Sequence, residues 1–166
     1  KEIIKIIRSA TEILNKETGE NPYLLHGELE KNMQKNVGII RNKQKLELGL
    51  KNIEKLKEKY QSVKASGASQ FNPGWHEALA MRNLLITSEA VAKSALIREE
   101  SRGAHTREDF PGEREDGYLY NTIIYKDEAD NMCIKKEERK QPNEELKRIA
   151  ESTLGELEKE VNQERK

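Results

Sequence analysis

A chain of 166 residues is the length of one domain, or two at most, and its 30 Lys and Arg offset its 30 Asp and Glu to leave zero formal charge. That balance excludes a global electrostatic attraction to nucleic acid or to an anionic membrane surface. Charged residues make up 36% of the chain and the hydrophobic set only 34%, with Leu, Ile, Val and Phe totalling 36 residues, so the core is thin: a helical layer with long solvated faces, or one that packs on something else.

Ile3, Ile6/Ile7, Ala10 and Ile13/Leu14 recur at spacings of three and four, one face of a first helix ending near Thr18-Gly19. Asn21-Pro22 reads as an N-cap followed by Pro at the first helical position, and Leu25, Leu29, Met33 and Val37 carry a second helix to about Ile40. Leu46, Leu50, Ile53, Leu56, Tyr60 and Val63 form a third stripe of near-heptad spacing with Gly67 as its cap. Such a stripe serves a coiled-coil partner or a core face, and the core face is the default. Breakers concentrate over 66–74, and a fourth helix from Trp75 to about Glu99 carries Ala78, Leu85, Ala92 and Leu96 inward. Its low charge and apolar excess make it the central helix. No regular element is expected from Ser101 to Gly117. Leu119 to Tyr125 and Met132 to Ile134 have strand character and form a small hairpin. From Pro142 one helix places Leu146, Ile149/Ala150, Leu154, Leu157 and Val161 on one face. The predicted fold class is therefore mainly α, an antiparallel bundle of three to five helices with a long functional loop and a small β-hairpin near the C-terminus. The predicted division is a helical domain over 1–116, with its motif loop at 100–116, and a hairpin with a terminal amphipathic helix over 117–166 packed on the same domain.

Cys133 is the single cysteine, so neither an intramolecular disulfide nor a cysteine-based metal site can form, which fits a reducing compartment. The apolar run Ile3-Ile4, Ile6-Ile7 is broken by Lys5 and is far short of the roughly 18 residues a membrane span needs. No targeting segment is evident. With no initiating Met and a helical pattern from the second residue, the chain reads as cut from something longer.

Neither G-x-G-x-x-G nor a P-loop occurs, so the chain alone is not a nucleotide-binding domain. His26, His76 and His105 lack metal-ligand spacing, and no metal is expected. Ser101 and His105 sit in a loop without a nucleophile elbow, which argues against an acyl-transfer triad. Basic clusters such as Lys55 to Lys59 are interleaved with acids and read as solvated faces. One stretch exceeds background. Arg98, Arg102, His105 and Arg107 lie within ten residues at the end of the most apolar helix, on a Gly-containing turn. Guanidinium groups there suit a fixed, planar anionic partner; the competing reading is helix capping with local ion pairs to Glu99, Glu100 and Asp109.

Glu100-Ser-Arg-Gly-Ala-His-Thr-Arg-Glu-Asp-Phe-Pro111 closely resembles the E-S-R-G-A-H-x-R-x-D-[FY]-P signature of the succinate dehydrogenase/fumarate reductase flavoprotein subunit family. Phe71-Asn-Pro-Gly-Trp-His76, Ala78-Leu-Ala-Met-Arg-Asn-Leu-Leu85 and Ser88-Glu-Ala90 resemble the family's N-P-G-W-H-x-A-L-x-x-R-N-[ML]-L…S-E-A, and Met33-Gln-Lys-Asn-Val-Gly-Ile-Ile-Arg41 its M-x-x-x-V-G-I-x-R. The resemblance covers about 28–116. The sequence departs after Pro111, where Arg114-Glu-Asp-Gly-Tyr118 is one residue shorter than R-D-D-x-x-W and has Tyr for Trp.

The resemblance implies a C-terminal helical domain of an FAD-dependent oxidoreductase that interconverts succinate and fumarate and passes electrons to an iron-sulfur subunit. The family's flavin-attaching, dicarboxylate-binding and proton-donating residues lie in earlier domains, so no catalytic residue is assigned here. FAD is implied in the full-length protein and not in this chain. Arg102, His105 and Arg107 are the implied flavin-side contacts, and Glu100, Ser101, Arg102, Gly103, His105, Arg107, Asp109, Trp75 and His76 the implied motif and interface residues. The implied partners are the FAD and capping domains of the same polypeptide, the iron-sulfur subunit and, indirectly, membrane-anchor subunits, with no nucleic acid. The implied location is cytoplasmic, peripheral at the inner face of the membrane. L-aspartate oxidase and adenylylsulfate reductase resemble the same architecture; a free-standing helical adaptor is the reading from another class.

Overall fold

The computed structural model describes residues 2–68 and 70–164. Three helices build the core: α2 (Pro22–Asn36), α3 (Lys43–Tyr60) and α4 (Pro73–Ile97), with α1 (Glu2–Asn15) laid against α4. Each core helix opens on an asparagine whose side-chain oxygen accepts a backbone N–H of the first turn. Asn21 accepts from Tyr23, Asn42 from Lys45 and Asn72 from Trp75, each at 2.9 Å, so these caps fill helix termini that would otherwise attract an anion. Leu25, Leu29, Leu46, Ile53, Leu56, Ala78, Met81, Leu85 and Ala92 interlock as one core.

Polar ties inside the layer were not legible from periodicity. Asn32 donates to the Gly49 carbonyl at 3.0 Å and accepts from Asn36 at 2.8 Å and Asn52 at 2.9 Å. Gly49 is needed there, because a Cβ would stand 2.9 Å from Val37. Glu89 on α4 is buried between Lys57 of α3 and Lys93, at 2.5 and 2.7 Å, and Lys93 also donates to the Met132 carbonyl at 3.0 Å.

The fold is mainly helical with a small hairpin, and several boundaries differ from those the sequence predicts. The first helix ends at Asn15 rather than near Thr18, and Ile3, Ile6 and Ile7 of its apolar face stand exposed while Ile13 is buried. The second stops at Asn36: the Val37 N–H closes on the Met33 carbonyl at 2.9 Å and the chain turns through Gly38. Gly67 does not cap the third helix, which ends at Tyr60 with Gln61 as C-cap; Gly67 lies beyond it at φ 111°. The stretch 101–117 is not devoid of regular structure. Thr106–Arg107 forms β2, paired in parallel with β1 (Ile40–Arg41), and Arg102 bridges His105. The hairpin is β3 (Tyr120–Lys126) against β4 (Met132–Glu138), so its second strand runs past Ile134. The single terminal helix is two: α5 (Glu144–Glu151) and α6 (Leu154–Glu164), broken where Thr153 and Glu156 cap the second. Leu146, Ile149, Leu154 and Val161 of that stripe are exposed.

Candidate functional site

The loop after α4 is organised around two buried charges of opposite sign. Arg107 is 1% exposed and Glu100 0%, which isolated ions do not tolerate. The partners explain both.

Arg107 follows the turn at Gly103, which takes φ 57°, and its position is fixed by the β1–β2 pairing. The Thr106 N–H donates to the Ile39 carbonyl at 3.2 Å and the Glu108 N–H to the Arg41 carbonyl at 2.9 Å. From there Nη1 reaches the carbonyls of Ala95, Leu96 and Arg98 at 3.0, 3.1 and 3.1 Å. These are the last carbonyls of α4, which lack partners within the helix and carry its negative dipole end. Nε and Nη2 bond the two oxygens of Asp109 at 2.8 Å each, and the guanidinium lies 4.8 Å from the centroid of the Phe110 ring. Asp109 in turn accepts the Lys43 N–H at the start of α3, at 2.9 Å. Hydrogen bonds from Arg107, and then from the Lys43 backbone, outweigh desolvation and hold the Asp109 carboxyl far below the usual carboxylate range.

Glu100 is surrounded differently. Arg98 Nη1 bonds Oε1, while Arg102 Nε and the Arg114 N–H reach Oε2, each at 3.1 Å. Burial raises the carboxyl's pKa, yet the bonds from Arg114, Arg102 and Arg98 prevail and leave it below the ordinary value. The carboxylate rests directly on Gly117, where any Cβ would collide with both oxygens. Arg102 also meets Glu113 at 2.9 Å and the Arg114 carbonyl at 3.0 Å. Ser101 accepts the Arg107 N–H at 2.8 Å and donates to the Phe110 carbonyl at 2.8 Å. His105 meets the Arg98 carbonyl at 3.1 Å through Nε2; burial, then the charges of Arg41, Arg107 and Arg98, push its pKa down despite that carbonyl.

The motif residues Glu100, Ser101, Arg102, Gly103, His105, Arg107 and Asp109 thus come together, and Arg41 of the earlier motif joins them. Trp75 and His76 do not. They sit in the first turn of α4, about 33 Å away along its axis at 1.5 Å per residue, where Trp75 Nε1 donates to the Ala10 carbonyl at 2.8 Å and His76 is exposed. Sequence reasoning missed Arg41 as a charge at this site. The signal was present: the motif ending in Arg41 and the motif holding Arg107 both match short patterns, and only tertiary pairing shows that they are neighbours.

Among the described residues no group of three His, Cys, Asp or Glu is placed to hold a metal ion, and no helix is long and apolar enough to cross a membrane. Among the described residues the sheets are two-stranded and the core helix N-termini are occupied by their own asparagines, an arrangement that does not fit a dinucleotide cradle.

The family model described as fumarate reductase flavoprotein C-term matches residues 26–154. A succinate dehydrogenase flavoprotein subunit from Coxiella burnetii is 40% identical over 109 residues, which is 65% of this chain and 19% of that protein. A CoM/CoB fumarate reductase chain from Methanothermobacter marburgensis is 42% identical over 93 residues, 56% of this chain and 17% of that protein. Among solved structures, the apo Sdh1 complex of Mycobacterium smegmatis superposes with a TM-score of 0.82 at 36% identity, covering 95% of this chain and 27% of that one. An adenosine-5-phosphosulfate reductase shares the fold, with a TM-score of 0.72 at 17% identity. The chain spans about a fifth of the length of the curated relatives it matches.

Proposed function

Since the chain belongs to the fumarate reductase flavoprotein C-term family, we propose that it serves as the helical domain of an FAD-dependent oxidoreductase interconverting succinate and fumarate, with electrons passing to an iron-sulfur subunit. The observation that carries this reading is the folded 98–117 loop: every polar residue of the signature has a defined partner, so the signature is used as a unit and is not a chance string. FAD, when bound elsewhere in such a flavoprotein, supplies the redox chemistry. This chain's residues supply no cradle for it, and no step of the reaction is routed through them.

In this reading the domain is a lid over the flavin-bearing part and a seat for the iron-sulfur subunit, with anchor subunits reached only through that partner and the complex peripheral at the inner face of the membrane. Arg102 and His105 keep exposed surface and face the flavin-bearing part. Arg107, whose guanidinium is consumed by Asp109 and the end of α4, acts as a positioning residue. Residues 1–116 form the helical unit, and 117–166 pack on it through the hairpin, a division supported by Arg98 lying 5.0 Å from the Tyr120 ring centroid and by the Lys93 bond to Met132.

The reading is tested by extending the reading frame upstream of Lys1. A G-x-G-x-x-G fingerprint and purified full-length protein that holds flavin and reduces a dye with succinate support it. Turnover of L-aspartate or adenylylsulfate instead moves the protein to a sister enzyme, and an upstream frame without the fingerprint ends the oxidoreductase reading.

A further inference from the structure

Beside the loop, a groove of about 720 Å³ runs between α4 and β3. It is lined from α4 by Ala90, Val91 and Ala95 with Thr87 and Ser94 among them, from β3 by Asn121 to Ile124, and by Arg41, Arg98 and His105. Two features set it apart from an ordinary surface crease. The first is charge. Arg41 makes no ion pair or side-chain hydrogen bond with any described residue, and its Nε is buried without a partner. The nearest charges make this worse: burial and the adjacent Arg107 both pull its pKa below the arginine value, while the carboxylates of the loop, Asp109 and Glu100, are already held by Arg107, Arg98 and Arg102. The second is backbone. Four consecutive residues of β3 line the groove, and because side chains alternate between the faces of a strand, an edge borders it. Among the described residues β3 pairs with β4 alone, so that edge keeps unmet N–H and C=O groups. The Thr122 hydroxyl, from a residue that lines the groove, is also buried without a partner.

We propose that this groove docks an extended polypeptide segment, which pairs along the free edge of β3 and delivers an Asp or Glu carboxylate to Arg41. An unpaired guanidinium calls for a planar anion that can accept two bonds, a free strand edge calls for another strand, and apolar walls favour aliphatic neighbours on either side of the acid. A small free carboxylate would satisfy Arg41 but leave the strand edge and the walls uncovered. The inference rests on this geometry alone and stands whether or not the oxidoreductase reading does.

An unpaired cation beside Arg107 also costs the free chain stability, so the site shows itself in two independent measurements. Arg41→Gln keeps the β1–β2 backbone bonds and removes the repulsion; its melting temperature should rise by about 2–4 °C. Binding is read by NMR on the 166-residue chain, following the Arg41 Nε–Hε signal and the amides of Asn121 to Ile124 while adding a blocked peptide Thr-Val-Asp-Val-Thr, its Asn counterpart, or propionate. The expected result is saturable shifts of both groups with the Asp peptide, weakened about fivefold or more, roughly 1 kcal/mol, by Asn in the peptide and by Arg41→Gln. Thr122→Val should weaken peptide binding and leave propionate unaffected. Propionate binding as tightly as the peptide, with the β3 amides unmoved, overturns the segment and leaves a small-acid site. Equal shifts with the Asp and Asn peptides overturn the carboxylate. A melting temperature that falls on Arg41→Gln, with no saturable shift in the unaltered chain, overturns the proposal as a whole.

Discussion

The guanidinium of Arg107 and the carboxylate of Asp109 face each other through two parallel bonds of 2.8 Å, and this pair joins two helix ends of opposite polarity. Arg107 covers the carbonyls that finish α4, while Asp109 accepts an N–H that begins α3. Each charge therefore sits at the dipole end that favours it. Arg107, 1% exposed, would not be stable there as a lone charge, and the pair lets a charged loop lie over the least charged helix of the chain.

Arg107→Ala should cost about 1–3 kcal/mol, because it strands the carbonyls at the end of α4 at a buried position, while Asp109, which keeps solvent contact, loses its bidentate partner. Arg107→Lys should recover only part of the loss, since one ammonium cannot serve Asp109 bidentately and still cover the α4 carbonyls. Urea unfolding of the two variants measures this. A loss below about 1 kcal/mol for the alanine variant would mean that water replaces the guanidinium.

Gly117→Ala should destabilise by about 2 kcal/mol or more through overpacking, because the new Cβ would run into both Glu100 oxygens. Gly27→Ala is the matched control. It lies within α2 with nothing within 4 Å of its added Cβ, and it should gain about 0.5–1 kcal/mol from helix propensity. Equal effects at the two glycines would show that Glu100 does not rest on residue 117.

How far these features were legible in the sequence depends on the range of the interaction. The asparagine caps at 21, 42 and 72 act within three residues, and the apolar spacing of Leu46, Ile53 and Leu56 or of Ala78, Leu85 and Ala92 repeats within a helix; both can be read locally. The end of the second helix cannot. Its stripe runs on through Val37, and what stops it is the pairing of Ile40 and Arg41 with Thr106 and Arg107, 66 residues later. The exposure of Ile3, Ile6 and Ile7 shows the converse: a stripe fixes which face is apolar and leaves open whether anything covers it. The break in the terminal helix did carry a local signal, Thr153 followed three residues on by Glu156, which is a capping box. The burial of Arg107 had none, as charge in a Gly- and Pro-rich stretch reads as surface.

Stability should fall with acid in two stages. The His105 ring is held below its ordinary value of 6.5, by burial first and then by three arginines, so the fold favours the neutral ring; its contribution is complete above pH 6.5 and is lost as pH falls through the lower folded value. Glu100 and Asp109 are likewise held below 4.5 and 3.8, and their larger contribution disappears only as pH drops beneath those values. Urea midpoints measured from pH 8 to 3 should show a shallow decline and then a steep one. His105→Gln should remove the first stage and leave the second, and a variant that keeps the shallow stage would assign it to another group.

Cys133 is half-buried on β4, with Sγ 3.7 Å from an Asp127 oxygen, and it has no second cysteine with which to form a disulfide. Cys133→Ser keeps that geometry and should change stability by less than about 0.5 kcal/mol. Thermal melts of the two forms under reducing conditions check it.

Arg98 and Arg102 share one buried carboxylate, and that sharing makes their removal non-additive. With Arg98 gone, Glu100 keeps Arg102 and the Arg114 N–H; with Arg102 gone, it keeps Arg98 and the same N–H. Because both arginines are partly exposed, each single alanine variant should lose only about 1 kcal/mol. The double variant strands an ionised carboxylate at a fully buried site and should lose about 3–5 kcal/mol, a coupling of at least about 1 kcal/mol. Adding Glu100→Gln to the double variant should restore part of the loss, since no charge then remains to be buried; strict additivity with no rescue would show that Glu100 is satisfied by something other than the two guanidiniums. The same series tests the proposed orientation of the lid. If Arg102 also faces the flavin-bearing part, Arg102→Ala in the full-length protein lowers flavin content while Arg98→Ala, matched to it in stability, does not. Equal flavin occupancy in the two variants would return Arg102 to a purely local role beside Glu100.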